Sequence, residues 1–293
     1  MMPVRLISAL DKTIDGDRVS PVADAVARLW DLPPGSARWW RSSACHVFAV
    51  PTGYLRFVPD SVRSADSFAA TAALMADLSG RGLGVVAPVI SARGRLTETV
   101  ETALGAMHAM LLTAAPGEPI DVDALTGEQA MAWGAALARL HDTGLPAPPS
   151  DLFAELSELD DRELAASLQA QLAEVPHDDI GLVHGDFELD NLSWSDGLPT
   201  AFDFDEATVS WFAADVAIAV RDIAPRPVML EAFLTGYRRI RPLDTTHLRL
   251  FARAQAACSI VRAQWALEGA GDVLPKLQAR LRQHIDRQRL LAS

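Results

Sequence analysis

Three carboxylates and one amide lie within six consecutive residues of the segment LVHGDFELDNLSW, residues 182–194. The four residues are Asp186, Glu188, Asp190 and Asn191. The apolar pair that precedes His184 is typical of a strand end, so these polar side chains are predicted to follow directly after a strand. Carboxylate and amide oxygens are ligands that hard divalent cations prefer, and a further carboxylate can accept a proton from a hydroxyl group.

A second acidic stretch follows at a spacing that predicts a hairpin. In NLSWSDGLPTAFDFD, two apolar runs flank the turn signal Ser195-Asp196-Gly197. The start of the first strand in an antiparallel hairpin lies beside the end of the second, so Asn191 and Asp203 are expected at the same end. An amide oxygen and a carboxylate brought together in this way suit Mg²⁺, which completes its coordination shell with phosphates and water.

The pattern H-G-D-x-x-x-x-N followed by D-F-D resembles the kinase catalytic loop and its metal-binding motif. Glycine at position 185, where protein kinases carry arginine, makes the chain similar to the aminoglycoside phosphotransferase family. This family of small-molecule kinases includes homoserine, choline and fructosamine kinases. LARLH at 137–141 and DVA at 215–217 also agree with the family, and the resemblance covers about residues 40–265.

The resemblance implies a role for each motif residue. Asp186 matches the catalytic aspartate, which aligns the acceptor hydroxyl and takes its proton, while Asn191 and Asp203 match the metal ligands. His184 is expected to support the loop structurally. Asp205 is an additional candidate that either contacts a second metal or faces solvent.

Two further acidic residues of the motif are interpreted separately. Glu188 occupies a position where many protein kinases carry lysine, and it is an additional site candidate. Asp215 is expected to tie the loop to a helix rather than touch substrate. The implied cofactors are ATP and Mg²⁺.

The nucleotide-binding part departs from the kinase pattern. Arg56 stands where a lysine normally contacts the α- and β-phosphates, and Thr71 stands where its partner glutamate is expected. PPGSARWWRSSA, residues 33–44, is the only candidate for a glycine-rich loop. The adenine is expected to bond to backbone of the hinge, at Leu112, Thr113, Ala114 and Ala115.

The elements that must position these residues form two groups along the chain. Short apolar runs and turn signals predict strands at 45–50, 54–58, 84–90, 95–100 and 105–113, with one helix at 67–79. From Thr126, which has capping-box spacing to Gln129, helical patterns dominate. We therefore predict an α+β, bilobal protein-kinase-like fold, with a small β-sheet N-lobe containing one main helix and a larger, mainly helical C-lobe.

The predicted boundaries place the nucleotide-binding lobe at 1–113, a hinge at 114–119, and the catalytic and acceptor-binding lobe at 120–293. Two cysteines without metal-ligand spacing, and an N-terminus that lacks a secretory signal, indicate a cytoplasmic protein. No run is long enough to span a membrane, so no membrane association is expected.

Charge narrows the class of partner. The net charge of −12 argues against a nucleic-acid partner. Residues 118–220 hold 22 acidic and 2 basic residues, which indicates either a site for cations or solvated helix faces. The expected partner is a small-molecule hydroxyl acceptor, and an aminoglycoside-type or other amine-bearing molecule fits the acidic segment. The oligomeric state is left open.

Three functions remain in competition. The leading prediction is an ATP- and Mg²⁺-dependent phosphotransferase that moves the γ-phosphate to a hydroxyl group. A catalytically weak or inactive pseudokinase is suggested by Arg56 and Thr71. A metal-dependent phosphoester hydrolase is the least supported, because it needs further histidines near the site. Tyr237 is a candidate to line the acceptor pocket, although large aromatic residues lie in cores more often.

Overall fold

A computed structural model describes residues 1–146 and 151–293 of the chain. Residues 147–150, which the predicted lobe 120–293 includes, lie outside the described residues. Contacts divide the chain into two compact units, the first made of Met1–Asp77, Val86–Ala114 and Arg262–His284 and the second of the rest. The lobe boundaries 1–113, 114–119 and 120–293 stay a prediction. In the described part of the chain, no helix is both long and apolar enough to cross a membrane.

The first unit is built on a six-stranded antiparallel sheet. Its strands are β1 (Arg38–Ser42), β2 (His46–Val50), β3 (Gly53–Pro59), β4 (Pro88–Val89), β5 (Glu98–Thr102) and β6 (Gly105–Thr113). The order is β1-β2-β3-β6-β4, and β5 also pairs with β6. The N-terminal helices are α1 (Val4–Asp11), α2 (Pro21–Ala27) and α3 (Ala65–Gly80).

Apolar side chains of the sheet and of α2 form one core. Ser20 caps α2 by accepting a hydrogen bond from the backbone N–H of Val22, and Pro21 occupies the first turn, where no N–H is needed. Burial of this apolar face stabilises the unit. The buried side chains include those of Val22, Val26, Trp30, Phe48, Leu55, Phe57, Met107 and Leu111.

The remaining elements follow β6 along the chain. The strands are β7 (Ile180–Val183), β8 (Leu192–Ser195), β9 (Leu198–Ala201) and β10 (Thr208–Trp211). The helices are α4 (Gly127–His141), α5 (Arg162–Ala173), α6 (Phe212–Ala219), α7 (Pro227–Arg238), α8 (Leu248–Leu267) and α9 (Pro275–Ala292). Strands β7 and β10 pair antiparallel, as do β8 and β9.

Several local predictions are confirmed. Strands cover 46–50, 53–59 and 105–113, and the helix predicted at 67–79 is α3. Thr126 caps α4, and its side chain and that of Gln129 form the reciprocal capping box. These elements were predictable because their periodicity, caps and turns are local properties of the sequence.

The strand predicted at 84–90 was only partly correct. Only Pro88–Val89 of the predicted strand 84–90 pairs with β6. Its first residues bond elsewhere, since the backbone oxygen of Gly84 accepts a hydrogen bond from Ala201 and Val85 bridges to the same residue. The candidate glycine-rich loop at 33–44 contains strand β1, and its part in nucleotide binding stays a prediction. A short turn, Ser43–Cys45, joins it to β2.

Helices α4 and α7 approach each other closely through glycines. A Cβ added at Gly134 would lie 2.0 Å from the backbone oxygen of Phe233, and one added at Gly236 would lie 1.9 Å from that of Met131. Trp133 and Phe233 pack edge to face at 5.0 Å between ring centroids beside this contact. Because backbone meets backbone, no side chain can be inserted without separating the two helices.

Gly236→Ala is therefore expected to destabilise the protein by about 1–3 kcal/mol, the usual cost of overpacking a close contact. Gly127→Ala is the matched control, because it lies in the first turn of α4 where an added Cβ meets nothing within 4 Å. Urea unfolding at constant pH measures both free energies. Equal stability of the two variants would show that the contact between α4 and α7 tolerates a side chain.

Candidate active site

The HGD segment begins directly after β7 and is held from behind by one buried carboxylate. Asp215, in α6, accepts hydrogen bonds from the backbone N–H groups of His184 at 2.7 Å and Gly185 at 2.9 Å. Its side chain has no solvent exposure. The expectation that Asp215 ties the loop to a helix is confirmed, and the loop backbone thereby acquires a defined position.

A buried hydrogen-bond chain continues from Asp215 to two other helices. The imidazole of His141 lies 3.0 Å from Asp215 through Nε2, and its Nδ1 lies 2.6 Å from the hydroxyl of Tyr237. Since Asp215 can only accept, Nε2 carries the proton and Nδ1 accepts from the tyrosine O–H. These hydrogen bonds therefore link α7 and α4 to the loop.

The protonation states in this chain follow from burial and hydrogen bonding. Burial lowers the pKa of His141 below its usual value, which keeps the imidazole neutral. Burial acts to raise the pKa of Asp215, but the hydrogen bond from His141 and those from the loop outweigh it. The pKa of Asp215 therefore lies below its usual value, and the carboxylate remains charged.

Glycine at position 185 has a steric reason. Its φ is +79°, in the left-handed region, and an added Cβ would lie 2.5 Å from the backbone oxygen of Glu206. A side chain such as the arginine of protein kinases therefore cannot be accommodated in this conformation. The sequence showed the substitution, but the contact with Glu206 is visible only in the structure.

The ring of His184 is fully buried and connects the loop to the end of β9. Nδ1 accepts a hydrogen bond from the backbone N–H of Asp186 at 3.2 Å, so Nε2 donates to the backbone oxygen of Phe202 at 3.2 Å. The imidazole lies 4.3 Å from the ring of Phe204, measured between centroids. With both nitrogens bonded within the protein, the ring is placed to support the backbone rather than to reach a substrate.

Asp186 and Asn191 are brought together by the turn between them. The amide nitrogen of Asn191 donates to the backbone oxygen of Asp186 at 2.9 Å and to its carboxylate Oδ2 at 2.8 Å. These bonds direct the amide oxygen of Asn191 away from Asp186. One carboxylate oxygen of Asp186, Oδ1, is left to meet another group.

The environment of Asp186 opposes ionisation in the absence of a cation. Burial raises the pKa of this carboxyl group, and the charges of Asp203 and Glu206 act in the same direction. The hydrogen bond from Asn191 opposes them. A cation between these carboxylates would favour their charged forms.

The predicted hairpin is confirmed and brings Asp203 to the same end as Asn191. Leu192 pairs with Ala201, and the backbone N–H of Phe202 donates to the oxygen of Asn191 at 3.1 Å. The turn residues Asp196 and Gly197 both have positive φ, as a type I′ hairpin turn requires. The hairpin register therefore carries the second acidic stretch back to the loop.

Asp203 itself has an unusual backbone conformation. Its φ is 67° and its ψ is 60°, in the left-handed region that aspartate adopts at some cost. Asp205 follows in the single 3₁₀ turn Phe204–Glu206 and is half-buried. Strain at a carboxylate beside a catalytic-type loop is typical of functional sites.

Glu188 is a buried carboxylate with one charged partner. Its Oε2 accepts a hydrogen bond from Arg221 at 2.6 Å, and the residue is 9% exposed. Burial raises the pKa of Glu188 to about 8, and the charge of Arg221 acts in the opposite direction. The sequence did not indicate Arg221, because it lies 33 positions away on no recognisable motif.

The predicted nucleotide contacts lie in other elements. Arg56 is buried in β3 at 5% exposure, opposite Met110 of β6. Leu112 and Thr113 end β6, and the N–H of Thr113 donates to the oxygen of Ala87 at 2.9 Å. That N–H is therefore already bonded, and Leu112 pairs with both Tyr54 and Pro88 in the sheet. Backbone contacts of the adenine with Leu112, Thr113, Ala114 and Ala115 stay a prediction.

Thr71 occupies the helix position where a glutamate was expected. Its hydroxyl accepts a hydrogen bond from Arg63 at 2.6 Å, and Arg63 also donates to Ser67 at 3.1 Å. Helix α3 thus carries a hydroxyl group, bonded to the nearby Arg63, at the position where a carboxylate usually pairs with the phosphate-contacting lysine.

The arrangement in the second unit suits chemistry on a hydroxyl group with a hard cation present. Over residues 1–146 and 151–293, no three His, Cys, Asp or Glu side chains form a metal-binding group. The oxygens of Asn191 and Asp203 match the few protein ligands that Mg²⁺ takes when phosphates complete its shell. A free carboxylate oxygen on Asp186 can accept a proton.

Sequence reasoning missed the part played by Tyr237. It was considered as a pocket residue, but the side chain is fully buried in the core and bonds His141. Its position next to Gly236, on a helix that packs against α4, is the only local signal, and the partner is 96 residues away.

Comparison with known proteins places these features in a family. The sequence profile described as "Phosphotransferase enzyme family" matches residues 47–253. The chain is 32% identical over 100 residues to an amicoumacin kinase of Bacillus subtilis (strain 168), which covers 29% of this chain and 30% of that protein. It is 30% identical over 203 residues to a homoserine kinase of Neisseria meningitidis serogroup B, covering 61% and 65% respectively. The chain thus spans less than two thirds of each curated relative.

Solved structures share the fold. An amicoumacin kinase in complex with AMP-PNP, Ca²⁺ and Ami superposes with a TM-score of 0.72 at 23% identity, covering 89% of this chain and 91% of that one. A microcompartment-associated aminopropanol kinase gives 0.69 at 20% identity, covering 92% and 95%. A spectinomycin phosphotransferase gives 0.63 at 12% identity, covering 91% and 95%. The predicted α+β protein-kinase-like fold is confirmed.

Tyr237→Phe tests the buried chain behind the loop. Removal of the hydroxyl leaves Nδ1 of His141 buried without its donor, so the free energy of unfolding is expected to fall by about 1–3 kcal/mol. The chain has one other tyrosine, and Tyr54→Phe removes the same atom from a half-buried side chain in β3. The control is expected to change stability by about 0.5 kcal/mol or less in urea unfolding. Equal effects would contradict a structural role for this hydrogen bond.

Proposed function

We propose, from the premise that this chain belongs to the phosphotransferase enzyme family, that it moves the γ-phosphoryl group of ATP to a hydroxyl group of a small molecule. The family resemblance drawn from the HGD motif is confirmed by the profile match over residues 47–253. One observation carries the proposal most directly: the loop holds Asp186 against Asn191 and is itself fixed by Asp215. A rigid carboxylate beside a metal-type amide is what phosphoryl transfer to an alcohol requires.

Asp186 is the proposed base of the reaction. Its Oδ2 is engaged by Asn191, so Oδ1 is the atom that receives the proton of the acceptor hydroxyl. The bonds from the loop to Asp215 prevent the carboxylate from moving during this step. Asp186 thus both orients the oxygen nucleophile and removes its proton.

Mg²⁺ is the proposed metal, and Asn191 and Asp203 are its proposed protein ligands. An oxygen donor set of this kind fits hard divalent cations, and a relative of similar fold is described in complex with AMP-PNP and Ca²⁺. When bound, Mg²⁺ would neutralise phosphate charge. The left-handed backbone of Asp203 directs its carboxylate from the end of the hairpin, and Asp205 is a further candidate ligand.

ATP binding is proposed for the first predicted lobe, at residues 1–113. Arg56 is the proposed phosphate contact, since a guanidinium bonds phosphate oxygens in a fork. The adenine is proposed to bond the backbone of the hinge at Leu112, Thr113, Ala114 or Ala115. The larger lobe, 120–293, would supply the catalytic groups and the acceptor site.

The proposed acceptor carries an amine. Residues 118–220 hold 22 acidic and 2 basic residues, and such a field attracts a cationic substrate. The described relatives act, by their names, on amicoumacin, homoserine, aminopropanol and spectinomycin. We extend to this chain only the shared chemistry of these acceptors, which is an amine near a hydroxyl group.

A nucleotide-binding protein without turnover is the second candidate. The observation that favours it is the pairing of Thr71 with Arg63, which replaces the carboxylate usual at this helix position. The retained Asp186, Asn191 and Asp203 favour the enzyme. Metal-dependent phosphoester hydrolysis, the third reading, would produce turnover without ATP.

Asp186→Asn is expected to lower kcat by about 10²–10⁴-fold, because the amide cannot accept the acceptor's proton. The assay is acceptor-dependent ADP release with pooled amino alcohols, aminoglycosides and sugars. Asp196→Asn is the matched control: it removes the same charge from the exposed hairpin turn, where asparagine also tolerates positive φ. Normal nucleotide binding with no release from any pool in the wild-type protein would favour the second candidate.

Two variants of Asp203 separate its charge from its backbone conformation. Asp203→Asn tolerates the left-handed conformation but removes the charge, whereas Asp203→Ala removes the ligand and adds strain of about 1–3 kcal/mol. Both are expected to raise the Mg²⁺ concentration needed for half-maximal ADP release, and only the alanine variant should also lower the Tm substantially. An unchanged Mg²⁺ requirement in both would exclude Asp203 as a ligand.

A further inference from the structure

We infer that Glu188 holds the ammonium group of the acceptor while Asp186 receives its hydroxyl group. The inference rests on the proposed function and assigns one residue as the determinant of acceptor specificity. Nothing in the motif requires glutamate at this position, where protein kinases often carry the opposite charge.

The first observation is an incompletely bonded carboxylate. Oε2 of Glu188 accepts the hydrogen bond from Arg221, but Oε1 is buried and has no hydrogen-bond partner among the described residues. A carboxylate oxygen removed from water without a donor is costly, and folded proteins leave few such atoms. A ligand that donates to this oxygen would remove the cost, and this oxygen belongs to a residue two positions from the proposed base.

The second observation is the local charge. Three carboxylates act on that of Glu188, and Arg221 is the cation that opposes them. The three are Asp186, Asp190 and Asp222. These three carboxylates outnumber Arg221, so the excess of negative charge around Glu188 favours a cationic donor over a neutral one. Such a cation also favours the charged form of Glu188, whose pKa burial raises. An ammonium group would donate a hydrogen bond to Oε1 of Glu188 and would add positive charge beside these carboxylates.

The third observation is the separation from the proposed base. The backbone N–H of Glu188 donates to the oxygen of Asp186 at 2.8 Å, which draws the two residues into a tight turn. Even an extended chain would separate residues two apart by only about 7 Å. Their side chains can therefore be spanned by one small acceptor, whose amine lies a few bonds from its reacting hydroxyl.

Arg221 has a positioning role in this arrangement. Its guanidinium bonds Oε2 of Glu188, and its side chain is 34% exposed, so one end of the carboxylate is fixed by a residue that solvent reaches. The pair fixes the carboxylate plane and thus the direction in which Oε1 points. Arg221 acts on the acceptor only through Glu188.

The test uses acceptor pairs that differ in the amine. Mg²⁺-dependent ADP release is measured with aminopropanol against propanediol, and with homoserine against hydroxybutanoate. Glu188→Gln keeps the size of the side chain and an acceptor for Arg221 but removes the charge. It is expected to raise KM for the amine-bearing member by about 10- to 100-fold, the value of one charge-assisted hydrogen bond. KM for the amine-free member is expected to change far less, so the preference for the amine-bearing member falls by the same factor.

Glu163→Gln, on the exposed face of α5, is the matched control and should leave every constant unchanged. A second readout needs no turnover: aminopropanol should raise the Tm of the wild-type protein with AMP-PNP and Mg²⁺, and not that of Glu188→Gln.

If Glu188 is a neutral structural side chain, the glutamine variant keeps the wild-type preference for amines, and the inference is overturned while the phosphotransferase proposal stands. ADP release elicited only by amine-free acceptors also overturns it. Absence of release with every acceptor removes the proposed function and this inference together.

Discussion

A single buried carboxylate determines whether the candidate active site exists. Asp215 accepts the N–H groups of His184 and Gly185 and the Nε2 proton of His141, so each carboxylate oxygen has a donor and the charge is compensated. Burying a charge is costly unless it is bonded in this way. Two of the three donors are backbone N–H groups of the loop. The hydrogen bonds that stabilise the charge of Asp215 therefore also fix the loop.

The hydrogen bonding of Asp215 depends in turn on residues of α4 and α7. His141 must keep its proton on Nε2 to donate to Asp215, and the O–H of Tyr237 bonded to Nδ1 maintains this tautomer. Tyr237 in turn reaches the histidine because α7 packs against α4 through Gly134 and Gly236. Helix packing far along the chain is thereby linked to the position of the proposed base.

The side chains of Asp186 and Glu188 lie in an electrostatically unfavourable environment. The backbone of His184 and Gly185, in contrast, is hydrogen-bonded to Asp215. The charges of Asp203 and Glu206 raise the free-energy cost of ionising Asp186, the proposed base. Glu188 has one carboxylate oxygen without a hydrogen-bond partner among the described residues. The left-handed backbone of Asp203, a non-glycine residue, adds local strain. Unfavourable features of this kind are retained where a bound ligand offsets them, and the proposed divalent cation and cationic acceptor would supply the opposite charge.

The sequence by itself determined the family, the local elements and the order of the acidic residues. HGD, the asparagine five positions after its aspartate, and the Asp196-Gly197 turn are short-range patterns, and the hairpin register followed from them. The tertiary structure alone decided that Arg221 meets Glu188, that Tyr237 meets His141 and that Gly185 lies against Glu206. It also decided that the 84–90 segment pairs partly with β6 and partly with Ala201. Periodicity and turn chemistry are properties of neighbouring residues, whereas these contacts join residues 21 to 117 positions apart, and only the packed chain selects them.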